Sequence, residues 1–174
     1  ITTWGLNFVT VPYKTRVSDY FQVIAAEDNT TFYVNSIPYM LNAGQNMGLT
    51  FGDARYISSD KPIMVSQFSR GASCDNTSSD PFYIVLSPTE LTLNQITFNA
   101  FISSIITNYY LNVVTLTDSV GTVTLDGANI AGNFVTHPYN SDYSYAQIDI
   151  SDGTHTLVGS EMTAYVYGYG WYES

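Results

Sequence analysis

The sequence predicts an all-β protein made of two related antiparallel β-sandwich subdomains, residues 1–73 and 74–174. Three observations carry that expectation. Short apolar runs alternate with period two, the signature of a strand buried on one face. No window of about ten residues carries a cap and apolar positions at i, i+3, i+4 and i+7, so helix is scarce. Finally, "DNTTFYVNS" at 28–36 returns as "DSVGTVTLDG" at 118–127, which points to an internal duplication.

In chain order, the first candidate strand lies in "TTWGLNFVTVP". It is followed by "YFQVIAAEDNTTFYVNS" at 20–36, two β-rich runs around a turn. "PIMVSQF" at 62–68 is a further run, opened by Pro62 and closed before Gly71. The polar stretch 71–81 reads as the joint between subdomains. The most apolar window, "FNAFISSIITNYYLNVV" at 98–114, is interrupted by Asn and Ser and is far from a membrane span. It reads as two strands turning at Thr107-Asn108. In "GTVTLDG", Val123 and Leu125 share one face, and Asp126-Gly127 supplies the positive φ angles of a tight hairpin. "MTAYVYGYG" at 162–170 closes the series, whose spacing of about 8–12 residues suits a sandwich.

Laid over each other, the two halves place Val23 on Val113, Ile24 on Val114, Phe32 on Val123, Val34 on Leu125 and Asn35-Ser36 on Asp126-Gly127. Further on, "ARYISSDKPIMVSQFSRG" at 54–71 aligns with "AQIDISDGTHTLVGSEMTAYVYGYG" at 146–170 through a shared Ile-Ser. Matched order over successive elements favours duplication over two unrelated Thr-rich hairpins.

Charged residues make up only 11% of the chain, with 15 acidic against 5 basic residues and a formal charge of −10. Such a surface repels phosphate backbones and anionic membranes. Hydroxyls and amides solvate the strands instead, a composition typical of extracellular β-proteins. The chain opens on Ile1 without a charged leader, so a signal peptide is absent or already removed.

The residues offer no catalytic apparatus. His137 and His155 sit in turns, away from other ligands at metal spacing, and Cys74 is the sole thiol. No nucleophile elbow, phosphate loop or zinc-protease pattern occurs. Asp28, Asp60, Asp118, Asp126 and Asp152 occupy turn positions, where side-chain bonding to backbone explains them. No cofactor is expected. Glu27, Asp28, Asp75 and Asp80 are weak candidates for calcium, offering hard oxygen donors without the spacing of a known calcium loop. Asn29 and Asn76 head glycosylation tripeptides, pertinent to a eukaryotic source. Aromatic residues reach 15%, and Tyr139, Tyr143, Tyr145, Tyr169 and Trp171 lie in two Tyr-rich stretches suited to stacking on sugars or to adhesive contact.

The order "TTWGLNF", "YFQVIAAEDNTTFYVN", "ISSDKPIMVSQFSRG", "DPFYIVLSP" and "YVYGYGWYES" resembles the N-terminal domain type of the IgGFc-binding protein over nearly the whole chain. That resemblance implies a module of a longer secreted or cell-surface protein, of the kind found in mucin-associated animal proteins and large bacterial surface proteins. Immunoglobulin binding, a property of the mammalian namesake, is not carried over. Cys74 stands alone where mammalian members are cysteine-rich. The expectation is therefore a non-catalytic extracellular adhesion or binding module acting through Tyr-rich acidic surfaces. Its partners would be glycans, proteins or other copies of itself, with no nucleic acid and no membrane insertion. A carbohydrate-binding module attached to an enzyme and a building block of a surface filament are the alternatives.

Overall fold

The computed structural model describes residues 3–75, 79–170 and 174. The chain is all-β and divides into two compact units. One comprises Ile1–Arg70 and Pro81–Leu91, the other Gly71–Asp80 and Thr92–Ser174. The expected single cut at 73/74 is thus replaced by a crossing, because residues 81–91 return to the first sheet.

The first unit contains β1 (Gly5–Val9), β2 (Asp19–Ala25), β3 (Thr30–Val34), β4 (Ile37–Leu41), β5 (Asn46–Phe51), β6 (Tyr56–Phe68) and β7 (Tyr83–Val85). These form one curled, seven-stranded antiparallel sheet of order β4-β3-β6-β2-β5, with β1 and β7 also on β6. Thirteen residues long, β6 changes partners along its length. Ile57 lies between Val34 and Phe8, whereas Ile63 lies between Ala25 and Gly5. Between them the register with β1 shifts, so that residue 6 alone faces residues 59–62, and the strand bends. The bend turns Phe8, Phe21, Val23, Phe32, Ile57, Ile63 and Val65 inward, each at most 1% exposed.

The second unit contains the short helix α1 (Ala72–Asp75) and β8 (Leu93–Ala100), β9 (Ile106–Leu116), β10 (Thr124–Leu125), β11 (Ala128–Asn129), β12 (Val135–Thr136), β13 (Tyr143–Ile150) and β14 (Gly153–Gly170). Its sheet has the order β11-β10-β14-β9-β13-β12, with β8 also on β14. The order β11-β10-β14-β9-β13 repeats β4-β3-β6-β2-β5, with β8 in the place of β1 and β14 in that of β6; among the described residues β7 and β12 have no counterpart. Here the register with β8 shifts between Val158 and Met162. Glu161 adopts a φ of 52° at this bend. A Cβ at Gly159 would sit 2.8 Å from Met162 Sδ and 3.0 Å from Val123 Cγ2, so the bend has no room for a side chain there. Side chains satisfy its backbone: Ser160 N–H donates to Thr122 Oγ1, Glu161 N–H to Asn94 Oδ1, and Thr115 Oγ1–H to the Ser160 carbonyl. Leu111, Val113, Val123, Ile130, Leu157 and Met162 pack beneath.

Both phrases that open the sequence comparison form the same turn. Asn35 and Ser36 have φ of 49° and 77°, Asp126 and Gly127 of 51° and 83°, both pairs positive as in a type I′ hairpin. Each turn is tied to the long strand alike. Asn35 Oδ1 accepts from Tyr56 N–H and Asp126 Oδ1 from Thr156 N–H, at 2.9 and 2.8 Å. Ile57 therefore corresponds to Leu157, not to Ile150 as the shared Ile-Ser suggested. Partner registers put Val23 opposite Val65 and Val113 opposite Ala164, in keeping with the Val23–Val113 overlay.

The turn expected at Thr107-Asn108 falls instead at residues 101–105, and both residues lie inside β9. Phe101, Ile102 and Ile105 are 70%, 70% and 48% exposed, so apolarity there belongs to a loop. The Ser103 hydroxyl accepts from the Ile105 and Ile106 N–H groups, and the Tyr109 hydroxyl donates to the Phe101 carbonyl, fixing the turn.

Ile57→Ala and Leu157→Ala should each destabilise the protein by about 2–5 kcal/mol, because both remove a fully buried side chain. Val158→Ala, beside Leu157 but 41% exposed, should change it by less than about 0.5 kcal/mol. Urea unfolding midpoints with unchanged slopes provide the measurement.

Candidate ligand-binding surface

At one end of the second sheet, the close of β9 and the start of β13 border a cavity of about 340 Å³, lined by Leu116, Thr117, Asp118, Ser141, Asp142 and Tyr143. Asp118 opens a 3₁₀ turn over Thr117–Thr122, and Ser141 and Asp142 belong to the loop that enters β13. The loop "HPYNSDY" is held by its own short-range chemistry. Tyr143 N–H donates to the Asn140 carbonyl, Asp142 N–H to Asn140 Oδ1, and His137 N–H to the Tyr143 carbonyl. Thr117 clasps it from the other side. Its N–H donates to the Asp142 carbonyl, and its hydroxyl lies 2.7 Å from the Ser141 carbonyl and 2.9 Å from Ser144 Oγ. Asp118 and Asp142 are exposed and Tyr143 is half-buried.

Behind the loop His137 is 2% exposed. Its Nδ1 accepts the Tyr139 N–H at 3.3 Å, which requires the neutral ring with its proton on Nε2. Tyr139 and Tyr145 meet this ring edge-on, at centroid distances of 6.3 and 6.2 Å. The first Tyr-rich stretch is therefore brought together around a buried histidine, with Tyr139 48% exposed and Tyr145 half-buried. The chemistry available at the rim is a flat aromatic surface beside carboxylate, hydroxyl and carbonyl acceptors.

The second stretch packs differently. Tyr169 is buried, with ring centroids 5.6 and 5.8 Å from Tyr110 and Tyr167, and the Tyr167 hydroxyl donates to Asn112 Oδ1. Tyr169 is a packed residue where the sequence suggested an exposed platform: the i, i+2 spacing puts it with Tyr167 on the face of β14 opposite the core residues Ala164 and Val166, where the two rings pack with Tyr110. Trp171 and Asn76 lie outside the described residues. Asn29 is exposed at a φ of 53° in the β2–β3 turn. The Thr30 hydroxyl of its tripeptide is buried and donates to the Glu27 carbonyl.

The calcium candidates are divided between the two units. Glu27 and Asp28 belong to the first unit, Asp75 and Asp80 to the second, and Asp28 Oδ1 accepts the Ala43 N–H across its own turn. Among the described residues no three His, Cys, Asp or Glu side chains are grouped to hold a metal. Cys74 is an exposed free thiol in α1. Sequence reasoning explained Asp118 as a turn residue and placed Tyr143 in a Tyr-rich stretch. It had no means to join them, because β9 and β13 become neighbours only through pairing.

One constellation has the order of a hydrolytic triad: Ser151 Oγ lies 3.5 Å from His155 Nε2, and Asp126 Oδ2 lies 2.7 Å from Nδ1. Its proton arrangement differs. Nε2 is 3.0 Å from the Ser151 carbonyl, an acceptor, so this nitrogen carries a proton and donates it there. Acceptors at both nitrogens favour the imidazolium form of the ring. The Asp126 hydrogen bond raises the His155 pKa above its ordinary value of 6.5, against the opposing effect of burial, and the His155 bond lowers that of Asp126. The pair latches the β10–β11 turn onto β14.

A family profile described as IgGFc binding protein matches residues 1–169. Among curated proteins, none matches the sequence. Solved structures with some likeness include a lectin from Pleurotus ostreatus in complex with GalNAc, at 12% identity and a TM-score of 0.30, covering 95% of this chain and 72% of the lectin. Another is an anti-sigma factor domain-containing protein from Clostridium clariflavum, at 8% identity and a TM-score of 0.21, covering 97% and 80%. Likeness at these TM-scores carries no argument about fold or ligand.

Because the folded His155 pKa is raised, its contribution to stability is fully present below the unfolded value near 6.5 and is lost as pH rises through the folded value. Asp126 contributes above its unfolded value and loses that contribution in acid. The urea midpoint should therefore fall between pH 6 and a pH above the His155 folded value, and Asp126→Asn should flatten this step.

Proposed function

From a chain that belongs to the IgGFc binding protein family, we propose an extracellular, non-catalytic binding module of a larger secreted or cell-surface protein. The family supports a role in binding. The single structural observation in favour of a defined contact surface is the cavity at the β9–β13 end, whose lining brings Tyr143 together with the exposed Asp118 and Asp142. A preformed concavity with one aromatic wall and convergent polar groups suits an uncharged, hydroxyl-rich ligand such as a glycan, or a polar loop of a protein partner. Carboxylates accept from hydroxyls or amides without reorganising, and the acidic rim excludes anionic ligands. Its order comes from Thr117 and Asn140, so binding incurs little further loss of loop entropy.

Binding of the recombinant protein to a mixed array of glycans and extracellular proteins tests this reading. Saturable binding should be weakened about tenfold or more by Tyr143→Ala and by Asp142→Asn, the loss expected for one well-placed contact. The Asp142 carboxylate is exposed, so the melting temperature of Asp142→Asn should stay at the parent value. Binding untouched by both substitutions would place the contact elsewhere and defeat the assignment.

A further inference from the structure

The outer face of the first sheet carries a second constellation. Residues Ser18, Tyr20 and Gln22 point outward along β2, while Asp19, Phe21 and Val23 point inward and are buried. The register sets Tyr20 opposite Phe68 on β6, and Phe68 opposite Tyr83 on β7. Three rings thus lie side by side across three strands. The Tyr20 and Phe68 centroids are 5.7 Å apart in an edge-on arrangement, those of Phe68 and Tyr83 5.2 Å apart and nearly parallel. Tyr20 leans over Gly48 of β5, where an added Cβ would meet its hydroxyl at 2.1 Å, so the glycine makes room for the ring. Tyr83 is 62% exposed, on a strand whose pairing partner is β6.

Two positions beyond Phe68, on the same side of the chain, stands Arg70. One guanidinium nitrogen, Nη1, donates to Ser18 Oγ at 2.7 Å, which fixes the group beside the ladder. Among the described residues no carboxylate lies within ion-pair distance of it, unlike Arg55, which pairs with Asp53 at 2.6 Å. In a chain of net charge −10 with 5 basic residues, a half-buried arginine held by a hydroxyl is a local cation with donors to spare. A guanidinium presents a planar fork that matches a carboxylate, and an open aromatic face matches the apolar face of a pyranose.

We propose that Arg70, Ser18, Tyr20, Phe68 and Tyr83 form a site for a carboxylate-bearing sugar, such as a sialic or uronic acid at a glycan terminus. The guanidinium takes the carboxylate, and the ring of the sugar lies on Tyr83. A neutral sugar would leave the guanidinium unused, and an acidic peptide would bring no flat ring to the ladder. This site belongs to the first unit, whereas the cavity at the β9–β13 end belongs to the second. The overall negative charge is screened beyond about 8 Å at physiological salt, so it does not bar a short-range contact with one cation.

The test is a titration of the full chain followed by ¹H–¹⁵N shifts, with N-acetylneuraminic acid and glucuronic acid as the two acid probes. Their methyl esters, galactose and a glutamate-rich peptide are the comparators. The expected result is saturable shifts confined to residues 18–22, 68–70 and 83–85 with one or both acids, about tenfold weaker for the methyl esters and for Arg70→Gln. Arg70→Lys should retain part of the affinity, and Tyr83→Ala, which alters an exposed side chain, should lose it without a change in melting temperature. The proposal is overturned if neither acid gives saturable shifts at millimolar concentration, or if esters or galactose bind as well as the acids. It is equally overturned if the glutamate peptide competes with the same strength, or if Arg70→Gln binds like the parent.

Discussion

Everything in each unit hangs on one long strand that must satisfy its backbone against different neighbours at its two ends. β6 and β14 lie at the centre of their sheets, and every buried N–H and C=O along them needs a partner. A straight strand would keep the same neighbours throughout and build a flat sheet with no interior. The bends at residues 59–62 and 159–161 let the first half pair with one hairpin and the second half with another, so a single sheet curls over its own core. The cost is an interrupted ladder, and hydroxyl and amide side chains at the second bend repair it. A chain poor in charge and rich in Thr, Ser and Asn is suited to that repair, because short polar side chains reach backbone groups one strand away.

The same geometry decides where contact surfaces can lie. Curling consumes the inner face for packing, leaving the outer face and the loop ends for partners. In the second unit a loop end is organised: Thr117 at the close of β9 clasps the loop leading into β13, and the cavity opens between them. In the first unit it is the outer face. The added strand β7 extends the sheet by one position there, so Tyr83 adds a third ring to the Tyr20–Phe68 pair, whose counterpart in the second unit is Tyr110–Tyr167. Two bodies with one strand order thus present different chemistry, which accords with duplication followed by divergence at the periphery.

The two turn motifs show how much of this was legible. Asn35-Ser36 and Asp126-Gly127 were recognisable because positive φ restricts residue choice at both turn positions, whatever packs around them. The overlay of Val23 on Val113 was readable because a strand facing a core keeps its apolar register. The pairing of Ile57 with Ile150 was not, since Ile-Ser carries no such restriction and the bend hides the true counterpart, Leu157. Tyr169 misled for a related reason: tyrosine serves buried and exposed positions alike, and only its packing with Tyr110 and Tyr167 shows it buried. The exposed "FISSI" loop was read as strand because its apolar side chains look like core until their neighbours are known.

By itself, the sequence determined the all-β class, the two-part organisation, the hairpin turns and the family, because period-two alternation and turn chemistry are local properties fixed by backbone sterics. Only the tertiary structure decided which strands pair, that residues 81–91 return to the first sheet, that Asp118 and Asp142 line one cavity, and that Arg70 meets Ser18 and Phe68 meets Tyr83. Those are meetings between segments far apart along the chain. Strand pairing creates them through backbone hydrogen bonds that every residue type can make, and so they leave little trace in the identity of the residues that meet.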